Sequence, residues 1–225
     1  MATRNGYNRS VNITTIFFDL DDTLYPASSG LWDVIKDRIG IFMLERLHIP
    51  ANEIQSMRRR LFEEYGTTLR GLQANFDIDV ADFLAFVHDV PLNDYLQPDP
   101  ILQAVLQSLP ARKFIFTNAD VLHARRVLRA LQVESFFEDI IDITVLAPYC
   151  KPMPQAFSIA LQRAGVDDPR QSAMIDDLSH TTRAARDLGM FSILFGTSAP
   201  DPAADATLVD WSKLSVLLNG SNNAS

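Results

Sequence analysis

From residue 98 onward the chain alternates short apolar runs with amphipathic stretches, and this alternation restricts the fold more than any other feature. "KFIFTN" (113–118), "IIDITVL" (140–146), "SAMIDD" (172–177) and "FSILFG" (191–196) are short and rich in β-branched and aromatic residues, as buried strands are. "ATLVD" (206–210) reads as a short edge strand. Helical segments fall between these runs. Asp99 caps one that Pro100 opens, a second covers Ala119 to Gln132, Gly165 closes the one that starts at Pro154, and Gly189 closes another. Such alternation with short connections predicts an α/β fold: a doubly wound, Rossmann-like, mostly parallel sheet covered on both faces.

One further strand, within Ile13 to Leu20, precedes a segment of different grammar. From Leu31 the apolar spacing turns helical, with Leu31, Ile35, Ile39 and Phe42 on one face before Pro50. Ile54, Met57, Leu61 and Tyr65 make a second stripe that ends near Gly66, and Asp79 reads as the N-cap of a third helix running toward Pro91. The division expected is a core of residues 1–26 and 98–225 with a small helical insertion, 27–97, after the first strand.

Ligands of open parallel sheets bind at the carboxyl ends of the strands. At those ends this chain places Asp19 and Asp21, then Thr117 and Asn118, then Lys151, then Asp176 and Asp177. Crowded carboxylates repel, and burying one without a partner costs several kcal/mol, roughly. A divalent cation with hard oxygen ligands, Mg²⁺ above all, offsets that repulsion. A Thr hydroxyl and a Lys ammonium supply hydrogen-bond donors and positive charge for a phosphoryl group. A carboxylate held beside that group can attack phosphorus, and a second can protonate the leaving oxygen.

With "DLDDTL", "FTN", "CKP" and "IDD" in this order, the chain resembles the haloacid dehalogenase (HAD) superfamily phosphatases over nearly its whole length. That resemblance implies Asp19 as nucleophile, Asp21 as general acid and then base, Thr117 on the phosphate, and Lys151 paired with Asp19. It implies Mg²⁺ on Asp19, on the backbone carbonyl of Asp21, and on Asp176, Asp177 or both, with Thr23 orienting the loop. The insertion resembles the C1 cap of the family, a lid over the substrate. "DLDDTLYP", "YGTTLRGL" and "FTNADVLHARRVL" resemble the pyrimidine 5′-nucleotidase branch, which implies a nucleoside monophosphate substrate such as UMP or CMP. Thr67 and Thr68 in the insertion, with Thr23, Asn118 and His123, are the candidate substrate-binding residues. "DDLSHT" departs from the D-D-S-x-x-N usual in that branch, with Leu178 in place of a hydroxyl and Thr181 in place of an amide.

A net charge of −8 argues against a nucleic-acid surface, and the strand-end residues and the resemblance make a small phosphorylated metabolite the expected partner. The single cysteine, Cys150, precludes an internal disulfide and fits a reducing compartment. No apolar run approaches a membrane span and the first residues lack a sustained apolar region, so a cytoplasmic location is expected. His48 and His88 are expected at solvated or boundary positions, and Cys150 as a packed residue whose thiol Lys151 could make more acidic. Rival readings are a phosphosugar or phosphoglycolate phosphatase, a phosphomutase of the same fold, a catalytically lapsed binding protein and a receiver-type phosphoacceptor domain. A receiver has its acid pair first along the chain, whereas here the pair comes last.

Overall fold

The computed structural model describes residues 13–220. Six strands form one sheet in the order β3-β2-β1-β4-β5-β6, with every adjacent pair parallel. They are β1 (Thr15–Phe18), β2 (Arg112–Phe116), β3 (Asp139–Ile141), β4 (Ser172–Asp176), β5 (Phe191–Phe195) and β6 (Ala206–Leu208). Strand direction makes side chains alternate between faces. Along β1, Ile16 and Phe18 join one buried cluster while Phe17 joins the other with Phe114, Phe116 and Met174. Burial on both faces is why these strands read as unbroken apolar runs. The strand order reverses beside β1, between β2 and β4, so the crevice at the carboxyl ends of β1 and β4 is where a ligand site is expected.

Four helices lie between β1 and residue 98: α1 (Leu31–Glu45), α2 (Ala51–Tyr65), α3 (Thr68–Asn75) and α4 (Val80–Val87). The expected stripe on α1 is fully inward, with Leu31, Ile35, Ile39 and Phe42 all buried. Asp79 caps α4 by accepting the Ala81 and Asp82 N–H groups. The remaining helices are α5 (Pro100–Ser108), α6 (Val121–Ala130), α7 (Pro154–Arg163), α8 (Ser179–Asp187) and α9 (Leu214–Gly220). Asp99 and Asp120 cap α5 and α6 through their carboxylates.

Two local expectations need correction. Residues 68–75 form a helix, α3, that the periodicity did not signal, because Gly71 interrupts the apolar pattern on its inner face. That glycine is required by close packing: a Cβ would lie 2.6 Å from the Leu61 side chain. The strand expected over "IIDITVL" ends at Ile141. There the Asp142 carboxylate accepts the Val121 and Val145 N–H groups and the Thr144 hydroxyl, which fixes a turn in place of further ladder bonds.

Candidate active site

The Asp19 N–H donates to the Ile175 carbonyl at 2.9 Å, so the chain leaving β1 stays tied to β4 for one more residue. It then turns sharply, with Asp22 at φ 59°, a left-handed conformation that Asp tolerates better than most side chains. Asp19 and Asp176 thereby face each other across the switch point. Lys151 comes to both, its Nζ 2.6 Å from Asp19 Oδ1 and 2.6 Å from Asp176 Oδ2. The Thr23 hydroxyl donates to Asp19 Oδ2 at 3.1 Å, and the Leu178 N–H to Asp176 Oδ1 at 2.9 Å. Carboxylate oxygens of Asp19, Asp176 and Asp177 all lie within 4.8 Å of one another.

Lys151 is placed by an exchange with Asn118. The Lys151 N–H donates to Asn118 Oδ1 at 2.9 Å, and Asn118 Nδ2 donates to the Lys151 carbonyl at 3.0 Å. Thr117 Oγ1 accepts the Ala119 N–H at 2.9 Å, which leaves its own proton free to be given to a ligand. Asp21 points away from the acidic cluster. The Tyr25 hydroxyl at 2.6 Å and His123 Nε2 at 3.0 Å both meet its Oδ1.

Electrostatics separate the acids. Burial, followed by repulsion from Asp176 and Asp177, raises the proton affinity of Asp19, and Lys151 offsets only part of this. Burial and the neighbouring Asp176 push Asp177 up to about 7, and burial with Asp21 brings Asp22 to about 6. Asp21 goes the other way: burial alone would raise it, but His123 and Tyr25 outweigh burial and hold the carboxylate form. Burial alone would likewise strip Lys151 of its proton, yet Asp176 and Asp19 keep it charged well beyond an ordinary lysine. Three raised or crowded carboxylates around one ammonium leave a deficit of positive charge, and their hard oxygen donors suit a small divalent cation.

Above this cluster opens a cavity of about 450 Å³. Asp19, Asp21, Thr117, Asn118, Lys151, Asp176 and Asp177 line its floor, and α1, α2 and α4 supply Trp32, Phe62 and Leu84 to its walls. Thr67 and Thr68 also line it, although the Thr67 hydroxyl is engaged as N-cap of α3, accepting the Arg70 N–H at 3.1 Å. Thr23 and His123 stand behind the cavity surface, 0% and 1% exposed, Thr23 bonded to Asp19 and Asp177 and His123 to Asp21. The carboxylate of Asp21 is outside the acidic cluster. Leu178 faces the cavity, while Thr181 lines it from a buried position.

His88 and the Cys150 thiol differ from expectation. His88 is buried, hydrogen-bonded to Asp120 through Nδ1 and stacked on His123 at 4.1 Å between ring centres. Cys150 is packed, as expected, but burial raises its thiol and outweighs Arg70 and Lys151. On α2, the expected stripe of Ile54, Met57, Leu61 and Tyr65 packs inward, with Leu61 fully buried. The neighbouring stripe of Gln55, Arg58, Arg59 and Phe62 lines the cavity. Its i, i+3, i+4, i+7 spacing was present in the sequence, but a stripe with three polar members reads as a solvated face.

The haloacid dehalogenase-like hydrolase family model matches residues 13–189. Phosphate metabolism protein 8 of Saccharomyces cerevisiae is 30% identical over 192 residues, 79% of this chain and 60% of that protein, so the chain spans about three-fifths of the length of this relative. Glyceraldehyde 3-phosphate phosphatase of Methanopyrus kandleri is 26% identical over 196 residues, covering 80% of this chain and 83% of that one. The fold also matches a HAD phosphatase from Thermococcus onnurineus with a TM-score of 0.64 at 17% identity, over 92% of this chain and 98% of that chain. Motif order, strand topology and these matches agree, and the chain belongs to the haloacid dehalogenase-like hydrolases.

Proposed function

We propose that this hydrolase is a phosphomonoesterase that works through an aspartyl-phosphate on Asp19, and that its substrate is a nucleoside 5′-monophosphate. The observation that carries the reading is the bridge from Lys151 to Asp19 and Asp176 at the floor of an open cavity. The ammonium holds the Asp19 oxygen in place and supplies charge to the equatorial oxygens of a phosphoryl group seated above it. Attack by Asp19 on phosphorus forms the acyl phosphate and breaks the bond to the leaving oxygen, to which Asp21 gives a proton. A phosphoryl dianion beside Asp21 opposes the hold of His123 and Tyr25 and favours that proton. In the second half, Asp21 takes a proton from water, which attacks phosphorus and restores Asp19. Thr117 donates to the phosphoryl oxygens, Asn118 keeps Lys151 in register, and Thr23 keeps Asp19 in register.

Asp19, Asp176 and Asp177, with the backbone carbonyl of Asp21, would hold Mg²⁺; the close set of hard oxygen donors fits it. When bound, that ion supplies neutralising charge to the acids and the phosphoryl group. Residues 27–97 serve as the lid that excludes water. A cavity of about 450 Å³ with Trp32 and Phe62 in its walls supports a ring-bearing leaving group such as a nucleoside over a triose. The smaller substrate in the name of the archaeal relative keeps a phosphosugar as the second reading. Among the described residues no helix is long and apolar enough to cross a membrane; the single cysteine, which is buried, supports a cytoplasmic location.

The test is phosphate release from UMP, CMP, AMP, phosphoglycolate and sugar phosphates, with Mg²⁺ or EDTA. Mg²⁺-dependent release that favours UMP or CMP supports the proposal. Preference for sugar phosphates keeps the chemistry and discards the nucleotide.

A further inference from the structure

Arg58 carries a hydrogen-bond donor with nothing to bond. Its Nε is buried without a partner, in a residue on the cavity face of α2. The other cations of the cavity are accounted for. Lys151 bridges Asp19 and Asp176, Lys36 pairs with Asp33, and Arg59 is exposed to water. Asp37 acts on the half-buried guanidinium through its charge, but the Nε–H itself has lost hydration without gaining an acceptor, which a ligand in the cavity can supply.

The neighbourhood says which kind. Trp32, Phe62 and Leu84 line the same cavity as Arg58, and a second phosphate or carboxylate would lose its hydration against these apolar walls. A flat ring with carbonyl oxygens on its edge has apolar faces for those walls and acceptors for the guanidinium fork. Gln55, one turn earlier on the same face of α2, adds an amide that both donates and accepts.

We propose that Arg58 is the specificity-determining residue of the site, donating to a ring carbonyl on the leaving group of the substrate, as a pyrimidine base presents. This rests on the phosphomonoesterase reading above and deepens it. The scissile phosphate stays with Lys151 and Thr117, while the far end of the substrate is read by α2.

The experiment compares wild type, Arg58→Met and Arg58→Lys on UMP and on ribose 5-phosphate, which keeps the sugar phosphate and lacks the ring. The ratio of kcat/KM for UMP to that for ribose 5-phosphate is expected to fall at least about tenfold in Arg58→Met, chiefly through KM on UMP. Arg58→Lys, which keeps the charge and loses the fork, is expected to fall as well. The Tm of Arg58→Met should equal or exceed that of wild type, because an unsatisfied donor has been removed. An unchanged ratio in Arg58→Met, with UMP still turned over by wild type, overturns the role of Arg58 and leaves the nucleotide reading standing. Full retention in Arg58→Lys beside loss in Arg58→Met overturns the carbonyl in favour of an anion. A ratio that falls only in step with Tm makes Arg58 structural and overturns the proposal. Wild type that hydrolyses ribose 5-phosphate and no nucleotide overturns the nucleotide reading and this inference together.

Discussion

His123 Nε2 lies 3.0 Å from Asp21 Oδ1, and its ring stacks on His88, which comes from the far end of the inserted helices. Asp120 completes the group by capping α6, where His123 sits, and by binding His88 Nδ1. The carboxylate assigned to proton transfer is therefore aimed by a residue of α6 whose own position depends on α4. Tyr25, from the turn after β1, holds the same oxygen.

Removing that support should matter most when the leaving oxygen needs a proton. His123→Ala is expected to lower turnover of alkyl phosphates by about 10–10²-fold while costing much less on an aryl phosphate whose leaving group departs unprotonated. Equal losses on both substrates would mean that His123 does not act through Asp21.

Lys151 is 4% exposed and neutralises two buried carboxylates. Replacing it by Met leaves Asp19 and Asp176 without their cation, so the metal-free protein should lose about 3–5 kcal/mol of stability. Turnover should fall by about 10²-fold or more, as when a transition-state donor is lost. Chemical denaturation and steady-state rates measure the two effects. A stable and active Lys151→Met protein would remove this residue from the mechanism.

Arg70 of α3 fastens the inserted helices to the sheet domain. Its guanidinium donates to the Tyr149 carbonyl at 2.9 Å and to that of Ile143, in the segment leading to Lys151. Nearby, the Cys150 thiol donates to the Tyr65 carbonyl at 3.3 Å, and Gly66, at φ 83°, leaves no room for a Cβ beside Cys150 Sγ. Arg70→Ala should cost about 2–4 kcal/mol by urea denaturation, since the buried Ile143 carbonyl and the part-buried Tyr149 carbonyl lose a charged donor. Arg70→Lys should recover only part, because one ammonium cannot reproduce the fork. Full recovery by lysine would contradict the geometry.

The acidic cluster predicts a pH-dependent response to Mg²⁺. Asp177 stands at about 7 in the folded, metal-free protein against about 4 for an unfolded aspartate. The folded state therefore binds this proton more tightly. The stabilisation it gives is complete below about pH 4 and is lost as pH rises through about 7. Mg²⁺ competes with that proton, so the rise in Tm on adding Mg²⁺ should be larger near about pH 8 than near about pH 5.5. Asp177→Asn should remove most of the difference. A Tm gain equal at both pH values would contradict this account of the cluster.

The sheet was legible because strands buried on both faces must be largely apolar: β1, β4 and β5 lie within the runs that show it, and β2 starts one residue before its run, at Arg112. The acids, Thr117 and Lys151 were legible because strand ends in a parallel sheet converge, and the structure gathers them around one cavity. What could not be read depended on contacts distant in sequence. The burial of His88 depends on Asp120 and His123, more than thirty residues further on. The end of β3 depends on the Asp142 carboxylate reaching back to Val121. α3 was hidden because Gly71, a poor helix former, is demanded there by Leu61 of the helix before it. The cavity face of α2 was hidden because polar residues lining a ligand cavity and polar residues facing water leave the same pattern.

The central claim is a covalent bond between Asp19 and phosphorus. Its most direct measurement is acid quenching of the enzyme during turnover of UMP with Mg²⁺, followed by borohydride reduction and peptide mass spectrometry. The account predicts an acyl phosphate on Asp19, seen as homoserine at that position after reduction. It predicts greater accumulation in Asp21→Asn, where hydrolysis lacks its base, and none in Asp19→Asn. Full turnover by Asp19→Asn, or a phosphoryl group trapped on another residue, would contradict it.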